Sequence, residues 1–291
     1  MRLTGKLLHA RIPCKKRMKK TRLLKIVLFL LLLLIPVVYL VRLSIFPGFF
    51  ADRPDAMYGH EAYRSEFSAT DGTLLRGWFF NRGQGSPLVA VYTGNNMNVG
   101  GMLALALADM SRSYLMLNYR GYGDSEGVPS ESRLVADARH CIAEARRRIG
   151  GQPSSLHIVG YSIGSGVANQ VAAAESPATL TLICPFDSIT EVACDFVPLL
   201  PRLLLPNTFV STDFAPRITC PVTVLRAAAD TLVTAPHTAA LLRAYPTPPA
   251  EYVLQADHNS VFFLPEFIPL VLKSLEKGSF SGDLPTAAAG Q

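Results

Sequence analysis

The first 42 residues of the chain contain no acidic residue, although they carry eleven of its 28 lysines and arginines. Ten of these bases lie between Arg2 and Lys25. Beyond residue 42, the other 17 bases face 22 acids, which gives that part a net charge of −5. The overall charge of +6 therefore comes from one N-terminal arm. No basic-aromatic motif accompanies the arm, so we expect no nucleic-acid partner.

Cysteine is also scarce, with an odd total of five. None of the spacings matches a zinc site, so we expect no metal and no cofactor. Cys14 lies on the basic arm, and Cys184 and Cys194 are the nearest pair in the rest of the chain. This pair could form a disulfide in an exported domain, but small buried hydrophobic residues are the favoured interpretation.

One long apolar run, IVLFLLLLLIPVVYLV, covers residues 26–41 between Lys25 and Arg42. As a helix it would be about 24 Å long. That is less than a hydrocarbon core of about 30 Å, but the flanking bases can extend the span by snorkelling. A cleaved signal peptide is the alternative, disfavoured because the run is long and no small-residue cleavage site follows.

The charge asymmetry predicts that the basic arm stays cytoplasmic and that the rest of the chain lies across the membrane. In a bacterium the C-terminal part would then be periplasmic or extracytoplasmic. The predicted organisation is an arm at 1–25, a transmembrane anchor at 26–41, an interfacial linker at 42–51, a folded domain at 52–278 and a disordered tail at 279–291.

Within 52–278, short apolar strands alternate with helical segments after an initial β-hairpin that turns at Asp71-Gly72. This alternation predicts an α/β fold with a mostly parallel, doubly wound sheet and helices on both faces. The stretch 187–217 interrupts the alternation and is rich in Pro, Leu and Phe. It is either an apolar lid over a binding pocket or an ordinary helix that packs on the core.

The sequence Gly160-Tyr161-Ser162-Ile163-Gly164 matches Gly-x-Ser-x-Gly and lies between an apolar strand and a helix. That setting is typical of a nucleophile elbow, in which Ser162 occupies a strained turn. Gly160 and Gly164 are expected where backbones crowd together. We predict that Ser162 is a nucleophile, although a Gly-Ser turn without chemistry is the alternative.

A serine nucleophile needs a general base that is oriented by an acid. His258 follows the last predicted strand and is the predicted base, whereas His237 lies in the first turn of a helix and is expected at the surface. Asp230 follows the preceding strand and is the predicted acid. Asp187 is its rival, and Asp257 is too close to His258 in sequence to reach the ring.

The tetrahedral intermediate requires backbone N–H donors. Ile163, which follows the nucleophile, is expected to supply one. The loop Gly94-Asn95-Asn96 after the strand LVAVYT is expected to supply the other, through Asn95.

The chain resembles the membrane-anchored α/β-hydrolases of the YfhR-like group, which are relatives of the eukaryotic membrane-bound abhydrolases. The resemblance rests on the N-terminal anchor, the Gly-Tyr-Ser-Ile-Gly turn, the placement of Asp230 and His258, and the tract NYRGYGDSEG at 118–127. The resemblance implies an α/β-hydrolase fold. The chain differs from that family at Thr93, where relatives carry His, at Ala227, where Gly is usual, and at Ser260, where Asp is frequent.

These features predict a membrane-anchored serine hydrolase that cleaves carboxylic ester or thioester bonds in small-molecule or lipid-like acyl substrates. Two alternatives remain open at this point: a catalytically weak hydrolase-fold scaffold or binding module, and a peptidase or acyltransferase that uses the same residues.

Overall fold

The computed structural model describes residues 22, 24–29, 32, 36, 40, 45–46, 60–95, 97, 99–196 and 208–276. The chain divides into two compact units, Met1–Val41 and Arg42–Gln291. The described residues of the first unit are helical, and the apolar ones are exposed. Among the described residues, no helix is both long enough and apolar enough to cross a bilayer. Most of the predicted arm, anchor and linker, and the whole tail at 279–291, lie outside the described residues.

The second unit begins with the predicted hairpin. β1 (Arg64–Ser68) and β2 (Leu74–Phe80) pair antiparallel, with Ser68 opposite Leu74. Gly72 lies in the turn at φ +83°, a left-handed conformation that favours glycine.

Six further strands complete one eight-stranded sheet in the order β1-β2-β4-β3-β5-β6-β7-β8. β2 pairs antiparallel with β4, and all later pairings are parallel. These strands are β3 (Leu88–Tyr92), β4 (Ser113–Leu117), β5 (Leu156–Tyr161), β6 (Thr179–Ile183), β7 (Val222–Ala227) and β8 (Ala250–Leu254).

The helices cover both faces of this sheet. Three helices contribute side chains to one apolar cluster. Two other helices contribute side chains to a second apolar cluster, on the opposite face of the sheet. Along β3, Leu88 and Ala90 belong to the first cluster and Val89 and Val91 to the second, as the period of two in a strand requires. The first group is α2 (Glu131–Arg148), α3 (Ile163–Glu175) and α6 (Ala235–Leu242), and the second is α1 (Leu103–Ala108) and α7 (Phe267–Ser274).

The predicted fold class, a mostly parallel doubly wound sheet with helices on both faces, is confirmed. Because the strands from β3 onward are parallel, the loops that follow β3, β5, β6, β7 and β8 meet at one edge of the sheet, where ligands bind in open α/β folds.

The described residues of the insertion between β6 and β7 include α4 (Ile189–Phe196) and the short α5 (Ser211–Phe214). Residues 197–207 of the stretch 187–217, for which a lid and a packing helix were both open, lie outside the described residues.

Candidate active site

Ser162 occupies the sharp turn between β5 and α3, with φ 51° and ψ −121°. Its N–H donates to the carbonyl of Ile183 on β6 at 2.9 Å, which fixes the turn against the sheet. A Cβ at Gly160 would lie 2.5 Å from the Gly164 carbonyl oxygen, and one at Gly164 would lie 2.3 Å from that of Tyr92. Both positions therefore exclude any side chain. A positive φ at a serine costs about 1–3 kcal/mol and is retained where the surroundings impose it.

His258 joins Ser162 to Asp230. Its Nε2 lies 2.9 Å from Ser162 Oγ, and its Nδ1 lies 2.7 Å from Asp230 Oδ2. The other oxygen of Asp230 accepts backbone N–H bonds from Leu232 and Val233 at 2.9 and 2.8 Å. The side chains of His258 and Asp230 are 7% and 3% exposed, so this path is shielded from water. The structure thus brings together the three residues that the sequence predicted for nucleophile, base and acid.

The rival histidine and acid form a separate pair. His237 Nδ1 lies 2.9 Å from Asp187 Oδ1, and Nε2 lies 2.9 Å from Asp195 Oδ2 on α4. The expectation that His237 is a surface residue is wrong, because its ring is buried by these contacts. The insertion supplies both acids, and sequence position gave no sign that they approach α6.

Asp257, next to the predicted base, has a local role. Its Oδ1 accepts the N–H groups of Asn259 and Ser260 at 2.9 Å. Hydrogen bonds, chiefly from Ser260, hold the pKa of the Asp257 carboxyl below its usual range. The carboxylate therefore shapes the loop that carries His258.

Tyr161 also holds this loop from β5. Its hydroxyl donates to the His258 carbonyl at 2.9 Å and lies 3.2 Å from Asn259 Oδ1. Burial raises the pKa of the Tyr161 hydroxyl, so the group remains a donor across the usual pH range. Tyr161 occupies a variable position of the Gly-x-Ser-x-Gly motif, and nothing in the sequence marks it as a residue that holds the His258 loop.

The loop expected to carry an oxyanion donor approaches the elbow closely. A Cβ at Gly94 would lie 2.5 Å from the Tyr161 ring and 3.4 Å from Ser162 Cβ, so glycine is needed there. Asn95 and Ile163 line the same cavity as Ser162, so both predicted donor residues are at the site. Thr93, which replaces the histidine of the YfhR-like pattern, donates from its hydroxyl to the Met97 carbonyl at 3.2 Å and so closes the turn.

The NYRGYGDSEG tract braces this loop from the neighbouring strand. The Tyr119 hydroxyl donates to the Thr93 carbonyl at 2.9 Å, and the Asn118 side chain accepts the Val99 N–H at 2.9 Å. Arg120 binds the buried Asp137 through two nitrogens, at 2.5 and 2.7 Å, which anchors the tract to α2. The tract therefore fixes both ends of the segment that carries Asn95.

Cys184 lies beside the acid. It follows β6 at φ 48°, is buried, and its sulfur lies within 4.8 Å of an Asp230 carboxylate oxygen. Burial, with a smaller contribution from the Asp230 charge, raises the pKa of the Cys184 thiol well above its usual range. Cys184 and Cys194 are both free thiols, so the predicted alternative of a disulfide between them is wrong. The sequence predicted Cys184 as a buried residue but gave no sign that it lies next to Asp230.

A cavity of about 380 Å³ opens beside Ser162 and His258. One wall is the apolar face of α4, formed by Ile189, Val192, Ala193 and Phe196. Ile45 contributes to another wall, four residues after the end of the predicted anchor. The α4 helix therefore lines this cavity and also packs against the core through Ile189 and Val192.

Comparison with known proteins agrees with this architecture. A family model described as the alpha/beta hydrolase family matches residues 74–280. The protein YfhR of Salmonella typhi is 30% identical over 229 residues, which cover 71% of this chain and 78% of that one. An uncharacterized protein of Mycobacterium tuberculosis is 37% identical over 174 residues, 57% of this chain and 60% of its own length.

The lysophosphatidylserine lipase ABHD12 of Danio rerio is 31% identical over 180 residues, 54% of this chain and 47% of that protein. The chain therefore spans only about half to three-fifths of the length of these last two relatives. Among solved structures, the Pyrococcus furiosus esterase Pf2001 superposes with a TM-score of 0.61 at 15% identity, covering 73% of this chain and 90% of that one. This likeness shows the fold.

Proposed function

The chain belongs to the alpha/beta hydrolase family, and we propose that it is a membrane-anchored serine hydrolase that cleaves carboxylic ester or thioester bonds. The observation that carries the proposal is the continuous hydrogen-bonded path from Asp230 through His258 to Ser162 Oγ. In this arrangement an acid orients a base, and the base takes the proton of the serine hydroxyl. The hydroxyl is thereby activated as a nucleophile.

In the first half-reaction, Ser162 Oγ attacks the acyl carbon while His258 Nε2 takes the hydroxyl proton. Asp230 stabilises the resulting imidazolium through Nδ1–H and holds the ring in the tautomer whose Nε2 accepts. The negative charge develops on the former carbonyl oxygen, where the N–H groups of Ile163 and Asn95 are proposed to receive it. His258 then returns the proton to the leaving alcohol or thiol, and the acyl group remains on Ser162.

In the second half-reaction, water attacks the acyl-enzyme and His258 Nε2 again takes the proton. The same oxyanion donors serve this step, because the charge develops on the same oxygen. Collapse of the intermediate releases the carboxylic acid and restores the Ser162 hydroxyl, which receives the proton from His258.

The substrate class that we propose is an amphiphile with a single acyl chain. The apolar α4 wall suits a hydrocarbon chain, and the cavity volume falls in the range of small-ligand sites. The ABHD12 relative is a lysophosphatidylserine lipase, which supports an acyl ester of this kind.

The membrane anchor is part of the proposal. The uninterrupted apolar run at 26–41 and the ten bases that precede it support an uncleaved span with a cytoplasmic N-terminus. Exposed apolar side chains at Leu28, Phe29 and Leu32 are consistent with a lipid-facing helix. A C-terminal tag on intact cells or spheroplasts would be protease-accessible from outside; a tag cleaved only after lysis would overturn this orientation.

Catalysis is tested with the full chain in detergent and acyl esters of increasing chain length. We expect turnover that is lost in Ser162→Ala and His258→Ala and retained in Ser86→Ala and His140→Ala, which lie outside the cavity lining. Equal turnover in Ser162→Ala and the native protein would refute the mechanism. Absence of turnover and of active-site labelling in correctly folded native protein would favour the binding-module alternative.

A further inference from the structure

Three side chains of different chemistry converge next to the nucleophile. The Cys184 sulfur, an Asp230 carboxylate oxygen and a His258 ring nitrogen all lie within 4.8 Å of one another. The ring nitrogen that faces Asp230 is Nδ1, at 2.7 Å. The three side chains are all buried, with Asp230 and His258 3% and 7% exposed. This set is larger than the serine mechanism requires, because the mechanism assigns no role to a thiol.

We propose that Cys184, Asp230 and His258 Nδ1 form an inhibitory site for a thiophilic divalent cation such as Zn²⁺ or Cd²⁺. One sulfur, one nitrogen and one carboxylate oxygen are the ligand types that zinc prefers, in tetrahedral sites with bonds of about 2.0–2.3 Å. Such bonds place ligand atoms roughly 3–4 Å apart, so the group as a whole needs a small contraction, while the Asp230 oxygen and His258 Nδ1, 2.7 Å apart, must separate slightly. A water molecule would complete the tetrahedron.

Charge balance favours this occupant in a buried site. Binding releases one proton to solvent, from the Cys184 thiol, and moves the imidazole proton of His258 from Nδ1 to Nε2. The thiolate and the Asp230 carboxylate then neutralise the two charges of the cation, so no net charge remains buried. Mg²⁺ and Ca²⁺ favour six or more oxygen ligands and are not expected to compete.

Occupation of Nδ1 would switch off the base. The proton of a neutral, metal-bound imidazole resides on the other ring nitrogen, here Nε2. Nε2 faces Ser162 Oγ at 2.9 Å and in this form has no lone pair to accept the serine proton. The cation would therefore abolish the nucleophile's activation without touching Ser162. Inhibition rests on the proposed hydrolase function, whereas binding of the cation does not.

The direct test uses full-length Ser162→Ala in detergent, which keeps all three donors. We expect Cd²⁺ titration to produce a saturable ultraviolet thiolate-to-metal charge-transfer band at one equivalent. The band should persist when Cys194→Ala is added and disappear when Cys184→Ala is added. The double variant Ser162→Ala/His258→Gln keeps the thiol and is expected to bind Cd²⁺ at least about tenfold more weakly. A band that survives Cys184→Ala, or affinity unchanged by His258→Gln, would overturn the site.

Inhibition is tested separately by titrating Zn²⁺ into the native protein and Cys184→Ser, each normalised to its own ester turnover. We expect the half-inhibitory Zn²⁺ concentration to rise by about tenfold or more in Cys184→Ser. Equal Zn²⁺ sensitivity of the two proteins would contradict the proposed inhibition. If the chain hydrolyses no ester, the proposed function is refuted, but the Cd²⁺ experiment still tests the cation site.

Discussion

Asp187 Oδ1 lies 2.9 Å from His237 Nδ1, so this carboxylate is bound to a histidine other than the one that contacts Ser162. Asp230 Oδ2, in contrast, lies 2.7 Å from His258 Nδ1. The two Asp–His pairs therefore distinguish Asp187 from Asp230, which were both candidates for the catalytic acid on sequence position alone. The first pair ties the insertion to α6, and the second reaches Ser162.

This division predicts different kinetics for two equivalent substitutions. Asp230→Asn should lower kcat by about 10³–10⁴-fold, because an amide favours the wrong tautomer of His258. Asp187→Asn should leave kcat for a short ester within about threefold, since it touches no group in the path to Ser162. Steady-state kinetics on both variants decides between the acids. A severe kcat defect confined to Asp187→Asn would show that the assignment is reversed.

The His237 ring is expected to position the pocket wall. Its Nε2 lies 2.9 Å from Asp195 near the end of α4, whose apolar face lines the cavity. His237→Ala removes both contacts and leaves the Asp187 carboxylate short of a partner, at a cost of about 1–3 kcal/mol in unfolding free energy.

Because α4 would lose this tie, KM for long-chain esters should rise in His237→Ala while kcat for short esters stays nearly constant. Denaturant unfolding and a chain-length series measure the two effects. Partial rescue by His237→Gln, which restores one hydrogen-bond donor, is the matched control. An equal kinetic loss on short and long esters would argue against a positioning role.

Chain-length preference is also predicted to depend on Val192. This residue faces the cavity from α4, so Val192→Trp fills space that a long acyl chain would occupy. The ratio of kcat/KM for long to short esters should fall by about 10-fold or more, as expected for blocking a few methylene positions. Val253→Trp, at an exposed site on β8 outside the cavity lining, is the control. Parallel shifts in the two variants would place the acyl chain elsewhere.

Gly94 offers a test of the oxyanion loop. Gly94→Ala places a methyl group 2.5 Å from the Tyr161 ring, so the loop that carries Asn95 must move. Loss of one aligned donor lowers kcat by about 10²–10³-fold. Gly101→Ala meets only the flexible end of the Met97 side chain at 2.5 Å and should be nearly silent. Turnover of Gly94→Ala equal to that of Gly101→Ala would mean that the loop supplies no donor.

The fold and the chemical path were predictable because both depend on local signals at strand ends. Ser162, Asp230 and His258 each follow a strand that the apolar pattern identifies, and parallel strands bring such ends to one edge. The order of the three residues along the chain then matches their order across β5, β7 and β8.

The remaining features depend on long-range contacts that leave no local trace. His237 is buried because the insertion folds back onto α6, a contact made across 42 and 50 residues. Cys184 reaches Asp230 through a positive φ at a residue type that gives no sign of one. Ile45 was expected in an interfacial linker, and its place in the cavity wall could not be inferred from composition.

The central claim, that Ser162 is the activated nucleophile, is tested most directly by a fluorophosphonate probe whose attachment site is located by mass spectrometry. We predict one phosphonyl adduct per chain on Ser162 in the native protein, with labelling lost in Ser162→Ala and slowed at least about 10³-fold in His258→Ala. An adduct on another residue, or labelling that persists unchanged in both variants, would contradict the account.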